Sequence, residues 1–134
     1  MKVHGQCHCG DIKFEAEVNP ADARICHCLD CQTMSGSAFR TGIAAPAEML
    51  KMTSGTPARY IKTADSGIQR AHMFCGRCGS PIFSSSIDAN PTRYQLRIGM
   101  LQERHQLAPT NQIWTKSQQH WLDEIADMPG IETQ

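Results

Sequence analysis

The stretch Lys2-Val3-His4-Gly5-Gln6-Cys7-His8-Cys9-Gly10-Asp11-Ile12-Lys13-Phe14-Glu15-Ala16-Glu17-Val18 carries both themes of this chain, alternation and paired thiols. Ile12, Phe14, Ala16 and Val18 alternate with polar residues, the period of a half-buried strand. Asp11 to Val18 therefore reads as a strand and Lys2 to Gln6 as its partner. Between them Cys7-His8-Cys9-Gly10 forms a turn, and Cys-x-Cys on extended backbone puts both thiols on one side. Working outward, short strand patterns recur at Arg24 to His27, Phe39 to Ala44 (ended by Pro46), Ala58 to Lys62, Gln69 to Phe74, Ile82 to Ser86 and Tyr94 to Ile98. Helical pattern appears at Leu29 to Met34 and at Gln118 to Met128, stopped by Pro129-Gly130. The expected class is mainly β with few short helices, built as one domain over residues 1–134.

Seven of the 134 residues are cysteine and only 6% are aromatic. With a mean hydropathy of −0.39, so lean a chain needs disulfides or metal beside apolar burial. An odd cysteine count, close spacings and a polar N-terminal stretch favour metal and a cytoplasmic setting. The thiols fall in three clusters, Cys7-x-Cys9, Cys26-x-Cys28-x-x-Cys31 and Cys75-x-x-Cys78. Two Cys-x-x-Cys motifs with a Cys-x-Cys signal zinc. A structural zinc takes four protein ligands and a catalytic one keeps three, and seven cysteines divide that way. The expectation is two Zn²⁺ per chain, with Cys26, Cys28 and Cys31 sharing one and the flanking pairs completing the other. Spacing alone leaves open a single four-cysteine zinc with three spare thiols, or a second zinc closed by His8, His27 or His72. Thirteen basic residues balance thirteen acidic ones, and no apolar run approaches the ~18 residues of a membrane span. Nucleic acid and membrane are not expected partners.

Gln6-Cys7-His8-Cys9-Gly10, Cys26-His27-Cys28-Leu29-Asp30-Cys31-Gln32, Ser35-Gly36-Ser37-Ala38-Phe39 and Phe74-Cys75-x-x-Cys78-Gly79, continued by Ile113-Trp114 and Trp121, resemble the glutathione-dependent formaldehyde-activating enzyme family, which includes the centromere protein V domain. The resemblance covers nearly the whole chain. It implies a β-tent fold of short-stranded sheets around a structural zinc on Cys7, Cys9, Cys75 and Cys78. It also implies a second zinc on Cys26, Cys28 and Cys31 at the active site, and a carbon–sulfur lyase activity on glutathione and formaldehyde. Where many relatives carry a histidine before the Ile-aromatic step, this chain has Gln112.

Three thiolates leave a zinc site with a formal charge of −1, which weakens it as a Lewis acid toward water. A soft incoming thiol is the more natural fourth ligand, and next to a small aldehyde it would form a carbon–sulfur bond. Ser35, Ser37 and Phe39 follow the triplet and are candidate substrate contacts, Trp114 a candidate pocket wall. Arg40, Arg70, Arg77 and Lys116 are candidates for the carboxylates of a glutathione-like thiol, each with solvated surface as its ordinary role. His27, between two proposed ligands, should point away from them as a surface or packed residue, and Met49, Met52 and Met73 read as core filler. A non-catalytic zinc module that binds a protein partner, and a thiol or zinc carrier, are the alternatives to an enzyme.

Overall fold

The computed structural model describes residues 1–133. Strands β1 (Lys2–Gln6), β2 (Lys13–Glu17), β3 (Arg24–Cys26), β4 (Arg40–Pro46), β5 (Leu50–Ser54), β6 (Ala58–Thr63), β7 (Gln69–Phe74), β8 (Pro81–Ser86), β9 (Arg93–Arg97) and β10 (Asn111–Ile113) make two sheets. The smaller has the order β1-β2-β5 and the larger β10-β3-β4-β9-β8-β7-β6. All neighbours run antiparallel except β10, which lies parallel to β3. The one α-helix among the described residues, α1 (Leu29–Ser35), follows β3 directly.

The alternation of Ile12, Phe14, Ala16 and Val18 buries all four. The core lies between the sheets: Val3, Phe14 and Ala16 of the small sheet face Ile43, Ala45, Phe83 and Leu96 of the large one, and the Phe14 ring meets Phe83 edge-on at 6.0 Å. Because side chains alternate across a strand, the opposite face of the large sheet carries a different set. The ladder sets Cys26 against Arg40, Arg24 against Gly42, Gly42 against Arg97, Gln95 against Ser84, Ser84 against His72 and Arg70 against Lys62. Directly opposed residues share a face, so one side of this sheet is apolar and the other is cationic.

Three readings need correction. Gln118 to Met128 forms not an α-helix but a run of 3₁₀ turns, His120–Asp127; its carbonyls bond three residues on, as Leu122 N–H to Gln119 O shows. Met49 is no core filler, being exposed in the turn before β5, while Met52 and Met73 do pack on the core. Strands β5 and β10 escaped the sequence reading: in the first, half-buried Leu50 and Met52 alternate with exposed Lys51 and Thr53 over only five residues, and the second is only Asn111–Ile113 and wholly exposed. No helix among the described residues is long and apolar enough to cross a membrane.

Candidate functional site

The turn between β1 and β2 and the turn between β7 and β8 bring four sulfurs together. Cys7, Cys9, Cys75 and Cys78 place their Sγ atoms within 4.8 Å of one another, with Cys7 to Cys9 at 3.5 Å and Cys9 to Cys75 at 3.6 Å. The two turns are built alike. Gly10 N–H donates to Cys7 O and Gly79 N–H to Cys75 O, and each glycine sits at positive φ, +84° and +73°, which a side chain would strain. Polar donors aim at the sulfurs: Ile12 N–H reaches Cys7 Sγ at 3.2 Å. The Ser80 hydroxyl, 3.2 Å from Cys78 Sγ, holds that thiol down to about 5. These four residues tie the small sheet to the large one.

The second group is local. Cys26 ends β3, Cys28 is the N-cap of α1, where its sulfur accepts from Cys31 N–H at 3.4 Å, and Cys31 lies in the first turn. Their sulfurs also lie within 4.8 Å of one another, and no histidine joins them among the described residues. So crowded, the thiols share protons. The hydrogen bond from Cys31, foremost, holds Cys26 down to about 5, and the same contact drives Cys31 up. Thiolates clustered in this way suit a thiophilic divalent cation, four closing one site and three leaving another open. Each group could hold a metal ion.

The three-cysteine group opens into a pocket of about 330 Å³ on the cationic face of the large sheet. Its lining includes Arg24, Arg40, Lys62, Arg70, Arg93 and Arg97, with His72, Ser84, Gln95 and Ile113, and no acidic residue. Gly42 lies on its floor, where a Cβ would stand 2.9 Å from Gln95 Nε2. Lys62 is paired with Asp30 of α1, whereas no arginine of the pocket has a carboxylate partner among the described residues. Arg40 and Arg97 are only 6% and 8% exposed. Burial pulls both guanidiniums below their ordinary value, Arg97 to about 9 with Arg40 adding to the effect. His72 is pushed down to about 4 by burial and then by Arg97 and Arg40, so its ring is neutral at pH 7. Its Nδ1 accepts from Arg97 Nη2 at 3.3 Å, which leaves the proton on Nε2.

The structure thus collects residues that the sequence scatters. Of the four cations singled out from sequence, Arg40 and Arg70 line the pocket; Arg77 lies elsewhere on Asp11, and Lys116 sits over the exposed Trp114 ring at 5.0 Å. Arg24, Arg93, Arg97 and His72 were not anticipated as pocket residues, and only strand register could have found them. Ser35 donates to Gln32 O and Phe39 O at the end of α1, Ser37 is exposed, and neither they nor Phe39 line the pocket. His27 points away from the cysteines into the interior, 1% exposed, with Nε2 2.8 Å from Gln112 Oε1 and its ring against Phe39. Trp114 turns outward at φ +60°, an uncommon left-handed conformation for a bulky residue.

Compared with known proteins, residues 2–117 match the family described as glutathione-dependent formaldehyde-activating enzyme. The chain belongs to the glutathione-dependent formaldehyde-activating enzyme family. A Halomonas elongata protein named "Putative glutathione-dependent formaldehyde-activating enzyme" is 23% identical over 120 residues, covering 77% of this chain and 76% of its own. A crystal structure of a Rhodobacter sphaeroides protein, a structural-genomics target, superposes with a TM-score of 0.62 at 25% identity, over 84% of this chain and 99% of that one. The fold of this family member is therefore shared with a solved structure.

Proposed function

We propose that the protein is a carbon–sulfur lyase that joins a glutathione-class thiol to a small aldehyde such as formaldehyde, and cleaves the adduct in reverse. In this reading Cys26, Cys28 and Cys31 hold a catalytic Zn²⁺, and Cys7, Cys9, Cys75 and Cys78 a structural one. The observation that carries it is the opening of the three-sulfur group into a pocket walled by cations. Zinc bound by three thiolates supplies a soft fourth position at which an incoming thiol loses its proton.

The chain's own residues do the rest. Arg24, Arg70 and Arg93, less buried than Arg40 and Arg97, suit the carboxylates at the ends of a tripeptide thiol, which guanidinium forks grip through paired hydrogen bonds. As sulfur attacks the carbonyl carbon, charge develops on the aldehyde oxygen, and the neutral His72 offers Nε2–H to receive it. Ser35, Ser37 and Phe39 lie outside the pocket lining and take no part in this reading. A thiol substrate and reduced cysteines suit a reducing compartment such as the cytoplasm.

The test is exchange NMR of glutathione with formaldehyde, using zinc-loaded protein purified under reducing conditions. Adduct formation should exceed the buffer reaction and fall to it in Cys28→Ser, with folding checked by melting. No acceleration by the intact protein across a wide thiol range would remove the enzymatic reading.

A further inference from the structure

The pocket holds more positive charge than a glutathione-class thiol and its metal can use. Three thiolates on a divalent ion carry a net −1, and glutathione as thiolate adds about −2 at neutral pH. Against these stand Arg24, Arg40, Arg70, Arg93 and Arg97, all without carboxylate partners among the described residues. About two positive charges remain unmatched in a pocket lined by no acidic residue. Buried unpaired cations are costly, which makes an anionic occupant the natural resolution.

The excess has a location. Arg40 stands directly across the β3–β4 ladder from Cys26, and Arg97 lies across β4–β9 from Gly42, on the same face. Arg40 makes no side-chain hydrogen bond to protein among the described residues, and Nε and Nη2 of Arg40 and Nε of Arg97 are buried without a partner. A tripeptide's carboxylates lie at its two ends, away from the sulfur that enters beside Cys26. The reactant that must lie against that sulfur is the carbonyl compound.

Building on the thiol–aldehyde reading above, we propose that Arg40 and Arg97 form a carboxylate subsite for the carbonyl reactant, so that this protein takes a 2-oxo acid aldehyde of the glyoxylate class in preference to uncharged formaldehyde. The reaction balances without a redox partner. The thiol S–H adds across the aldehyde C=O, a carbon–sulfur bond forms, the carbonyl π bond opens, and the thiol proton ends on the resulting hydroxyl. The product is a hydroxy-thioether acid, and the reverse step releases thiol and oxo acid.

Calorimetric titration of the zinc-loaded protein with oxamate, an unreactive amide that carries the same adjoining carbonyl and carboxylate as glyoxylate, tests the subsite without turnover. Oxamate should bind and uncharged acetamide should not. Arg97→Gln and Arg40→Gln should each weaken oxamate at least tenfold, and Arg97→Lys, which keeps the charge, should weaken it less. Melting curves show which variants are folded, and either folded one suffices. Equal binding of oxamate and acetamide, or affinity within twofold of wild type in the folded variants, overturns the subsite. Displacement of oxamate by glutathione would give the arginines to the thiol's own carboxylate and overturn the assignment to the carbonyl reactant. In adduct assays, glyoxylate should be accelerated more than formaldehyde, and Arg97→Gln should erase that preference. Formaldehyde turnover without oxamate binding would sink this proposal and leave the enzymatic reading intact. Arginine-dependent oxamate binding without acceleration of either aldehyde would sink the enzymatic reading and keep the subsite.

Discussion

The two sulfur groups should differ sharply in what they contribute to stability, and the chain separations give the size of the difference. Cys9 and Cys75 lie 66 residues apart, whereas Cys26, Cys28 and Cys31 lie within one six-residue stretch. Closing a loop costs an entropy that grows as the logarithm of its length, so a metal spanning the long separation removes about 2 kcal/mol more from the unfolded chain's freedom. A chain of this size unfolds with an entropy of about 0.28 kcal/mol/K, and the difference corresponds to about 7 °C in melting temperature. Further, Cys7 and Cys9 belong to the small sheet's turn and Cys75 and Cys78 to the large sheet's, so losing this clamp removes a cross-link between the sheets and leaves only their packing to hold them. Structural zinc binding is worth roughly 10–16 kcal/mol, comparable with the entire stability of a domain. Cys78→Ser should therefore be largely unfolded or insoluble, and Cys28→Ser folded, melting at least about 7 °C above any soluble fraction of Cys78→Ser. The assay is calorimetry of reduced, zinc-loaded proteins beside a metal count for each. A Cys28→Ser protein that melts as low as Cys78→Ser, or a Cys78→Ser protein that melts near wild type, would refute the division of labour.

Two other substitutions test the packing and the charge. Gly5 lies across the β1–β2 ladder from Phe14, and a Cβ there would stand 2.2 Å from the buried ring; Gly5→Ala should cost about 1–3 kcal/mol and lower melting by about 4–11 °C, and an unchanged melting curve would show that Phe14 is free to move. Arg97 is held at about 9 by burial and by Arg40 and Arg70, partly offset by Cys31 and Cys26, with neutral His72 against it. Since its value lies below that of the unfolded chain, the cost of the buried charge is full below pH about 9 and fades as pH rises from there toward 12.5. Arg97→Gln should then melt no lower than wild type at pH 7, while oxamate binding by the wild type should weaken as pH passes about 9; a marked loss of stability in the variant would mean that the guanidinium is already paid for within the pocket.

Much of the fold was legible because alternation is a local signal. Ile12 to Val18 announces its buried face in seven residues, and the ladder merely pairs it with Lys2–Gln6 and Leu50–Ser54. Of the strands that escaped, Leu50–Ser54 carries the same alternation over too short a run to stand out, and Asn111–Ile113 lacks it altogether. Asn111–Ile113 exists as a strand because β3 offers an edge with free backbone groups, not because its side chains bury anything. The 3₁₀ run at His120–Asp127 has a helical spacing of apolar residues, but Trp121 and Ile125 stay exposed, so no core surface draws it into a longer α-helix.

The site divides along the same line. The thiol groups were readable because metal ligands come as short, closely spaced motifs, and the turns that present them are local. The pocket was not, because its arginines arrive one or two at a time from four separate strands. Alone, each looks like the polar half of a strand facing water. Register removes that reading for two of them: the alternation that sends Ile43 and Leu96 into the core sends Arg40 and Arg97 to the other face, where both are nonetheless buried. A solvated surface would leave such side chains free to extend into water. Their burial beside a thiolate group, in a chain whose total charge is zero, concentrates cations where only an anion relieves the cost, and the electrostatics of that face therefore argue for the ligand before any chemistry is specified.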